Sequence, residues 1–170
     1  MKVLLVNPPR YNGVSVIREE RCEVTERYSV LEPYSLLQIA SLLRNDNHNV
    51  SFIDLNGLDM GYDTLKDKIE RTKPDAVLFR FTPTTFDHDM KTASIAKELN
   101  SDIHTGGLCW TLHTLGSQVM NEAPDLDAYI TDEYEVASPA LINSWENGDN
   151  ISPGAITKHG YIPVSYTHLR

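Results

Sequence analysis

Four short stretches of this chain combine side chains or bare backbone in ways that suit ligand chemistry. Asn7-Pro8-Pro9 follows the apolar run Lys2-Val3-Leu4-Leu5-Val6, so a polar, rigid loop stands at the end of a buried strand. Thr82-Pro83-Thr84-Thr85 offers three hydroxyls, each able to donate and accept. Gly106-Gly107, followed by Leu108, leaves backbone without Cβ atoms, which lets a bulky group approach or the chain turn with positive φ. Asp132-Glu133-Tyr134-Glu135 concentrates carboxylates where a helix begins. Each stretch also has a plain structural reading: a tight turn for the glycines, capping for the threonines, and macrodipole compensation for the acids.

Other reactive residues form weaker sets. Asp87-His88-Asp89 has poor metal-ligand geometry, because adjacent helical residues point in different directions. Asp87 is expected to cap a helix, with His88 solvated. His104 and His113 have no matched ligands and are expected to be structural or exposed, so no metal site is predicted. Cys22 and Cys109 lack a CxxC partner, and no base is evident for a thiol nucleophile. Arg18-Glu19-Glu20-Arg21 reads as a solvated loop face. Neither a Walker A motif nor GxGxxG occurs, which disfavours classical NAD binding.

The elements that must position these stretches alternate in type. Strand-like runs fall at 2–6, 49–54, 75–80, 101–105 and 127–131. Helical spacing places Leu36, Leu37, Ile39, Ala40 and Leu43 on one face behind Pro33, which suits a first turn. Asp63 and Thr64 can cap a second helix carrying Leu65 and Ile69. A third helix follows Asp87, with Met90, Ala93, Ile95, Ala96 and Leu99 inward. A fourth runs from about Thr111 to Asn121, with Leu112, Leu115 and Val119 inward. A fifth runs from about Val136 to Trp145, carrying Ala137, Leu141, Ile142 and Trp145. Such alternation predicts an α/β fold: a doubly wound, five-stranded parallel sheet, Rossmann-like or flavodoxin-like, in the order 2-1-3-4-5. In that topology ligands bind outside the carboxyl ends of the strands, where all four stretches fall. The long link from Arg10 to Glu32 reads as a lid or a disordered loop. One domain is expected over 1–147, with 148–170 as linker and tail.

Composition narrows the function. The chain has 170 residues and a formal net charge of −9, which argues against nucleic acid or an anionic membrane as partner. No apolar run approaches the roughly 20 residues that span a bilayer. The first residues show no signal-peptide pattern, and two cysteines make no disulfide framework, so a cytoplasmic location is expected.

In order and spacing, these segments resemble the N-terminal cobalamin-binding domain of B12-dependent radical SAM proteins, over roughly residues 1–150. Val3-Leu4-Leu5-Val6-Asn7-Pro8-Pro9 is similar to that family's first strand and loop. Glu32-Pro33-Tyr34-Ser35-Leu36-Leu37-Gln38-Ile39-Ala40 is similar to its Pro-Pro-x-Gly-Leu-x-x-Leu-Ala helix. Asn47-His48-Asn49-Val50 resembles its Gly-His-x-Val step, and Thr82–Thr85, Gly106-Gly107 and Asp132–Glu135 fall at its Ser/Thr, Gly-Gly and Gly-Glu-x-Glu positions. The chain departs from the pattern at Glu32, Asn47 and Asp132, and Leu108-Cys109-Trp110 is bulkier than usual.

The resemblance implies cobalamin as the ligand. The Gly-Gly and Thr segments would hold its nucleotide tail, Asn7, Pro8 and Pro9 would lie beside the corrin, and Leu108, Glu133 and Glu135 would also bind the cofactor. The loop from Asn7 to Gly13 has no histidine, so that loop supplies no lower cobalt ligand. The family's CxxxCxxC, which holds a [4Fe–4S] cluster that cleaves S-adenosylmethionine (SAM), is not in this sequence. The expectation is therefore a cobalamin module cut from a larger enzyme, with its partner a C-terminal radical SAM domain. Val164 to Arg170 resemble a translated sequencing adapter and are expected to be non-native. The runner-up is a free-standing flavodoxin-like module binding a nucleotide or a partner protein without cobalt. A third reading, a small complete enzyme using Cys109 or the acids at 132–135, lacks a coherent acid–base set.

Overall fold

In a computed structural model of the chain, residues 1–19, 23–24, 30–131 and 133–164 are described. Glu20, Arg21, Cys22, Asp132 and residues 25–29 and 165–170 lie outside them. The elements in chain order are β1 (Lys2–Asn7), β2 (Val16–Ile17), β3 (Glu23–Val24), α1 (Tyr34–Asn45), β4 (Asn49–Asp54), α2 (Tyr62–Thr72) and β5 (Ala76–Arg80). They continue with α3 (Phe86–Leu99), β6 (His104–Leu108), α4 (Gly116–Glu122), β7 (Ala128–Ile130), α5 (Tyr134–Asn147), β8 (Ala155–Thr157) and β9 (Gly160–Tyr161).

The main sheet has seven strands in the order β4-β1-β5-β6-β7-β8-β9. The pairings from β4 through β7 are parallel, whereas β7–β8 and β8–β9 are antiparallel. The sheet is larger than the five strands expected, because the stretch after Asn147, read as a linker, adds β8 and β9. The short antiparallel pair β2–β3 arises from the long link after β1.

Helices cover both faces, so the central strands are buried on both sides and show no polar alternation. Leu4, Val6, Val77 and Phe79 face a core shared with Leu65, Ile69, Met90, Ala93 and Val119. Val3, Leu5, Leu78 and Leu108 face Ile39, Leu43, Ala137 and Leu141. Alternate residues of β1 thus serve opposite cores, as the period-two geometry of a strand requires.

The turn from α1 into β4 explains one departure from the family pattern. Asn47 has φ +65°, a left-handed conformation that glycine adopts freely and asparagine tolerates. The Asn47 N–H donates to the Arg44 carbonyl and the His48 N–H to that of Leu43, a Schellman stop.

Several boundaries differ from expectation. The fourth strand, expected at 101–105, lies at His104–Leu108, because the glycine pair is strand interior and not a turn. The predicted fourth helix begins as a 3-10 turn at His113–Leu115 before α4, and Leu115 is exposed. Asp87 does not cap α3. A 3-10 turn at Pro83–Thr85 precedes that helix, and the Thr82 hydroxyl caps the turn by accepting from the Thr85 N–H at 3.3 Å. Asp63 likewise lies inside the first turn of α2, whose N-cap is Gly61.

Candidate functional site

All the predicted site residues within the described set lie at or near the carboxyl ends of the parallel strands, but they face different surroundings. Asn7, Pro8 and Pro9 are buried. Asn7 Nδ2 donates to Asp54 Oδ1 at 2.8 Å. Above the loop sits Arg18, 3% exposed, where a solvated face was expected. Its Nη1 and Nη2 donate to the carbonyls of Pro8 and Pro9, each at 2.9 Å. Those carbonyls lie beyond the strand pairing, and the guanidinium fork supplies the donors they need. Glu19 is also buried and accepts from the Ser35 hydroxyl at 2.7 Å.

The same guanidinium makes a two-point ion pair with the fully buried Asp89 of α3, Nε to Oδ2 at 3.0 Å and Nη2 to Oδ1 at 2.7 Å. Asp89 Oδ2 further accepts from the Thr85 hydroxyl at 2.6 Å and the Thr82 N–H at 3.3 Å. Thr82 and Thr85 are therefore committed to an internal network, while Thr84 is exposed beside them. This network ties the segment after β1, the end of β5 and the start of α3 into one unit. The sequence does not mark Arg18 and Asp89 as buried, because a charged residue among other charges carries no local signal of burial.

Gly106 and Gly107 do not turn; neither has positive φ. A Cβ at Gly106 would stand 2.5 Å from Leu78 Cδ2 and 3.4 Å from Trp145 Cη2. At Gly107 it would meet the Phe81 ring at 2.9 Å. The missing side chains let α5 close on one face of β6 and Phe81 on the other. On α5, Tyr134, Ser138, Leu141 and Trp145 recur at helical spacing along the side facing the sheet. The Ser138 hydroxyl, one turn before Leu141, is buried without a hydrogen-bond partner.

Arg80 closes β5 with 2% exposure, and its guanidinium lies 4.6 Å over the Tyr134 ring. An arginine inside the apolar run Ala76-Val77-Leu78-Phe79-Arg80-Phe81 is a legible sequence signal of a buried cation, and it was missed. Cys109 is buried, and burial pushes its thiol pKa up, which opposes a nucleophilic role. The next residue, Trp110, is exposed and stacks on His113 with ring centroids 4.7 Å apart. Glu133 and Glu135 are exposed at the start of α5. A cavity of about 490 Å³ lies beside this edge, lined by His113, Gly116, Gln118, Thr131, Ile156 and Tyr161. A larger one, about 620 Å³, opens at the opposite end of the sheet, near Lys73, Asp75 and Ile103.

His88 is half-buried, where solvation was expected. Its ring lies between Tyr11 and Tyr62, with centroids at 5.5 and 5.3 Å, and Nε2 sits 3.3 Å from the Pro9 carbonyl oxygen. Burial lowers its pKa first of all, and His104 is lowered for the same reason. The unfolded chain then binds more protons than the folded one as pH falls through the ordinary histidine range. Stability from these rings is full above about pH 6.5 and lost below it. The urea midpoint is expected to fall between about pH 7.5 and 5.5, and His88→Gln to flatten part of that fall. An unchanged slope in the variant would remove His88 as a cause.

Among the described residues no three His, Cys, Asp or Glu side chains form a metal-type group, and no helix is long and apolar enough to cross a membrane. Fold and edge together are those of an α/β protein compatible with the Rossmann-like and flavodoxin-like doubly wound class. Over 102 residues, 58% of the chain, the sequence is 35% identical to the anaerobic magnesium-protoporphyrin IX monomethyl ester cyclase of Rubrivivax gelatinosus. The matched region is 18% of that relative's length, so the chain spans only a small part of it. No protein-family model matches the chain.

Proposed function

We propose that this chain is a cobalamin-binding module that works with a C-terminal radical SAM domain in a methyltransferase-type enzyme of the cytoplasm. The observation that carries the reading is the order of the segments Asn7-Pro8-Pro9, Thr82–Thr85, Gly106-Gly107 and Glu133–Glu135 along one sheet edge, and the 35% identity with an anaerobic magnesium-protoporphyrin ester cyclase is consistent with it.

The residues present suit a cobalamin tail between β6 and α5. The buried Ser138 hydroxyl on α5 has no partner, and a tail entering here would displace Leu141 and Trp145 from the Cβ-free face of Gly106. In this reading Gly106, Gly107 and Leu108 form the strand side of the tail groove. Thr84 offers a hydroxyl at the rim, while Thr82 and Thr85 hold its loop in shape through Asp89. Asn7, Pro8 and Pro9 form the floor beside the corrin, and Glu133 and Glu135 line the outer rim. Bound cobalamin would supply a cobalt centre able to carry a methyl group, and the [4Fe–4S] cluster and SAM would belong to the other domain. The chain's own residues bind and orient. No histidine occurs from Asn7 to Gly13, and His88, beside that loop, is engaged at Pro9.

Incubation with hydroxocobalamin followed by desalting tests the reading. Retained corrin absorbance, without the spectral signature of a histidine lower ligand, is expected. Loss of all corrin colour on desalting would refute cobalamin binding, and a histidine-ligated spectrum would refute the stated mode.

A further inference from the structure

The carboxyl end of β5 gathers hydrogen-bond donors with too few acceptors. Arg80 is 2% exposed; its Nε donates to the Arg18 carbonyl at 2.6 Å, but its Nη1 has no partner. Tyr134, the first residue of α5, is 8% exposed, and no acceptor meets its hydroxyl proton. The Arg80 guanidinium covers the Tyr134 ring at 4.6 Å, so the two groups are neighbours. The Trp110 backbone N–H and the Arg80 side chain both approach the phenol oxygen, so that oxygen is already used as an acceptor. Glu133, the N-cap of α5, makes no side-chain bond to the first-turn N–H groups. Glu133 and Glu135 are exposed, and among the described residues no carboxylate pairs with Arg80.

A buried guanidinium is costly unless an acceptor meets it. Here the cation, a phenol O–H and the positive end of a 14-residue helix converge. We infer that this edge binds an oxyanion, a carboxylate or phosphate group of a ligand, which accepts from Arg80 Nη1 and from the Tyr134 hydroxyl. Burial pushes the Tyr134 pKa up to about 12, so its hydroxyl stays protonated and able to donate at neutral pH. The inference goes beyond the cobalamin reading and does not require it. The oxyanion can come from a free small molecule or from the phosphodiester of cobalamin itself.

Two variants separate the contributions. Tyr134→Phe keeps the ring under the guanidinium and removes only the hydroxyl. Arg80→Lys keeps the charge and removes the fork. Inorganic phosphate and acetate are titrated calorimetrically into the full chain. Saturable binding of at least one is expected, about tenfold weaker in Tyr134→Phe, the scale of a lost hydrogen bond to a charged group. Hydroxocobalamin is compared with cobinamide, which lacks the phosphodiester. A larger loss for hydroxocobalamin than for cobinamide in Tyr134→Phe assigns the site to the cofactor's phosphate; a loss confined to phosphate or acetate assigns a free ligand.

The inference is overturned if wild type binds no oxyanion probe and Tyr134→Phe retains hydroxocobalamin as wild type does. It is equally overturned if phosphate or acetate binds wild type and a folded Tyr134→Phe with the same affinity. Bound phosphate without any retained corrin would support this site while refuting the cobalamin reading. If Arg80→Lys does not fold, Tyr134→Phe decides alone, its fold checked by thermal midpoint.

Discussion

Arg18→Met is expected to destabilise the fold by about 3–5 kcal/mol, the usual range when one partner of a buried ion pair is removed. The substitution leaves Asp89 fully buried with its cationic partner gone and strips the Pro8 and Pro9 carbonyls of their donors. Thr85 and the Thr82 N–H still donate to the carboxylate, but neither carries charge. Asp89→Asn added to Arg18→Met should recover most of the loss, because an amide oxygen can accept from the same threonines without an unpaired charge. Urea denaturation of the single and double variants measures both. A loss under about 1 kcal/mol in Arg18→Met would mean the pair behaves like a solvent-exposed one, contrary to its burial. The region after β1 would then not be anchored to α3 as described.

Gly106→Val is expected to have the second largest effect, about 1–3 kcal/mol from overpacking. Even a single Cβ stands 2.5 Å from Leu78 Cδ2 and in contact with Trp145 and Leu141. Valine adds two methyl groups to that space, so α5 must move away from β6 or Leu78 must leave its rotamer. Gly107→Ala is the milder comparison, because the Cβ meets a ring edge of Phe81 at 2.9 Å. A Gly106→Val protein as stable as wild type would show that β6 and α5 are not in close contact at this residue.

Much of the layout is legible in the amino-acid sequence. Strongly apolar runs such as Val3–Val6 and Ala76–Phe79 declare strands, and the spacing of Leu36, Ile39, Ala40 and Leu43 declares a helix, because burial demands are periodic and local. The placement of Asn7, Thr82, Gly106 and Glu133 toward one edge follows from strand–helix alternation. Their surroundings do not follow. Thr82 and Thr85 look like ligand hydroxyls, yet Asp89 consumes them. Gly106-Gly107 looks like a turn, yet it is the bare interior of β6. Both outcomes depend on a residue from another element, Asp89 of α3 or Leu141 and Trp145 of α5, and pairing between distant segments leaves no trace in local composition.

The sequence by itself determined the α/β class, the strand and helix succession and the edge of the sheet where polar residues gather. Hydrophobic periodicity and chain connectivity suffice for these. Only the tertiary structure decided which polar groups are spent and which remain unpaired. It placed Arg18 over the Asn-Pro-Pro loop, bonded to Asp89, and it left Arg80 Nη1 and the hydroxyls of Tyr134 and Ser138 without an acceptor at and beside α5. The physical reason is that satisfying a buried polar group is a question of three-dimensional neighbours, and the neighbours here come from segments far apart in the sequence.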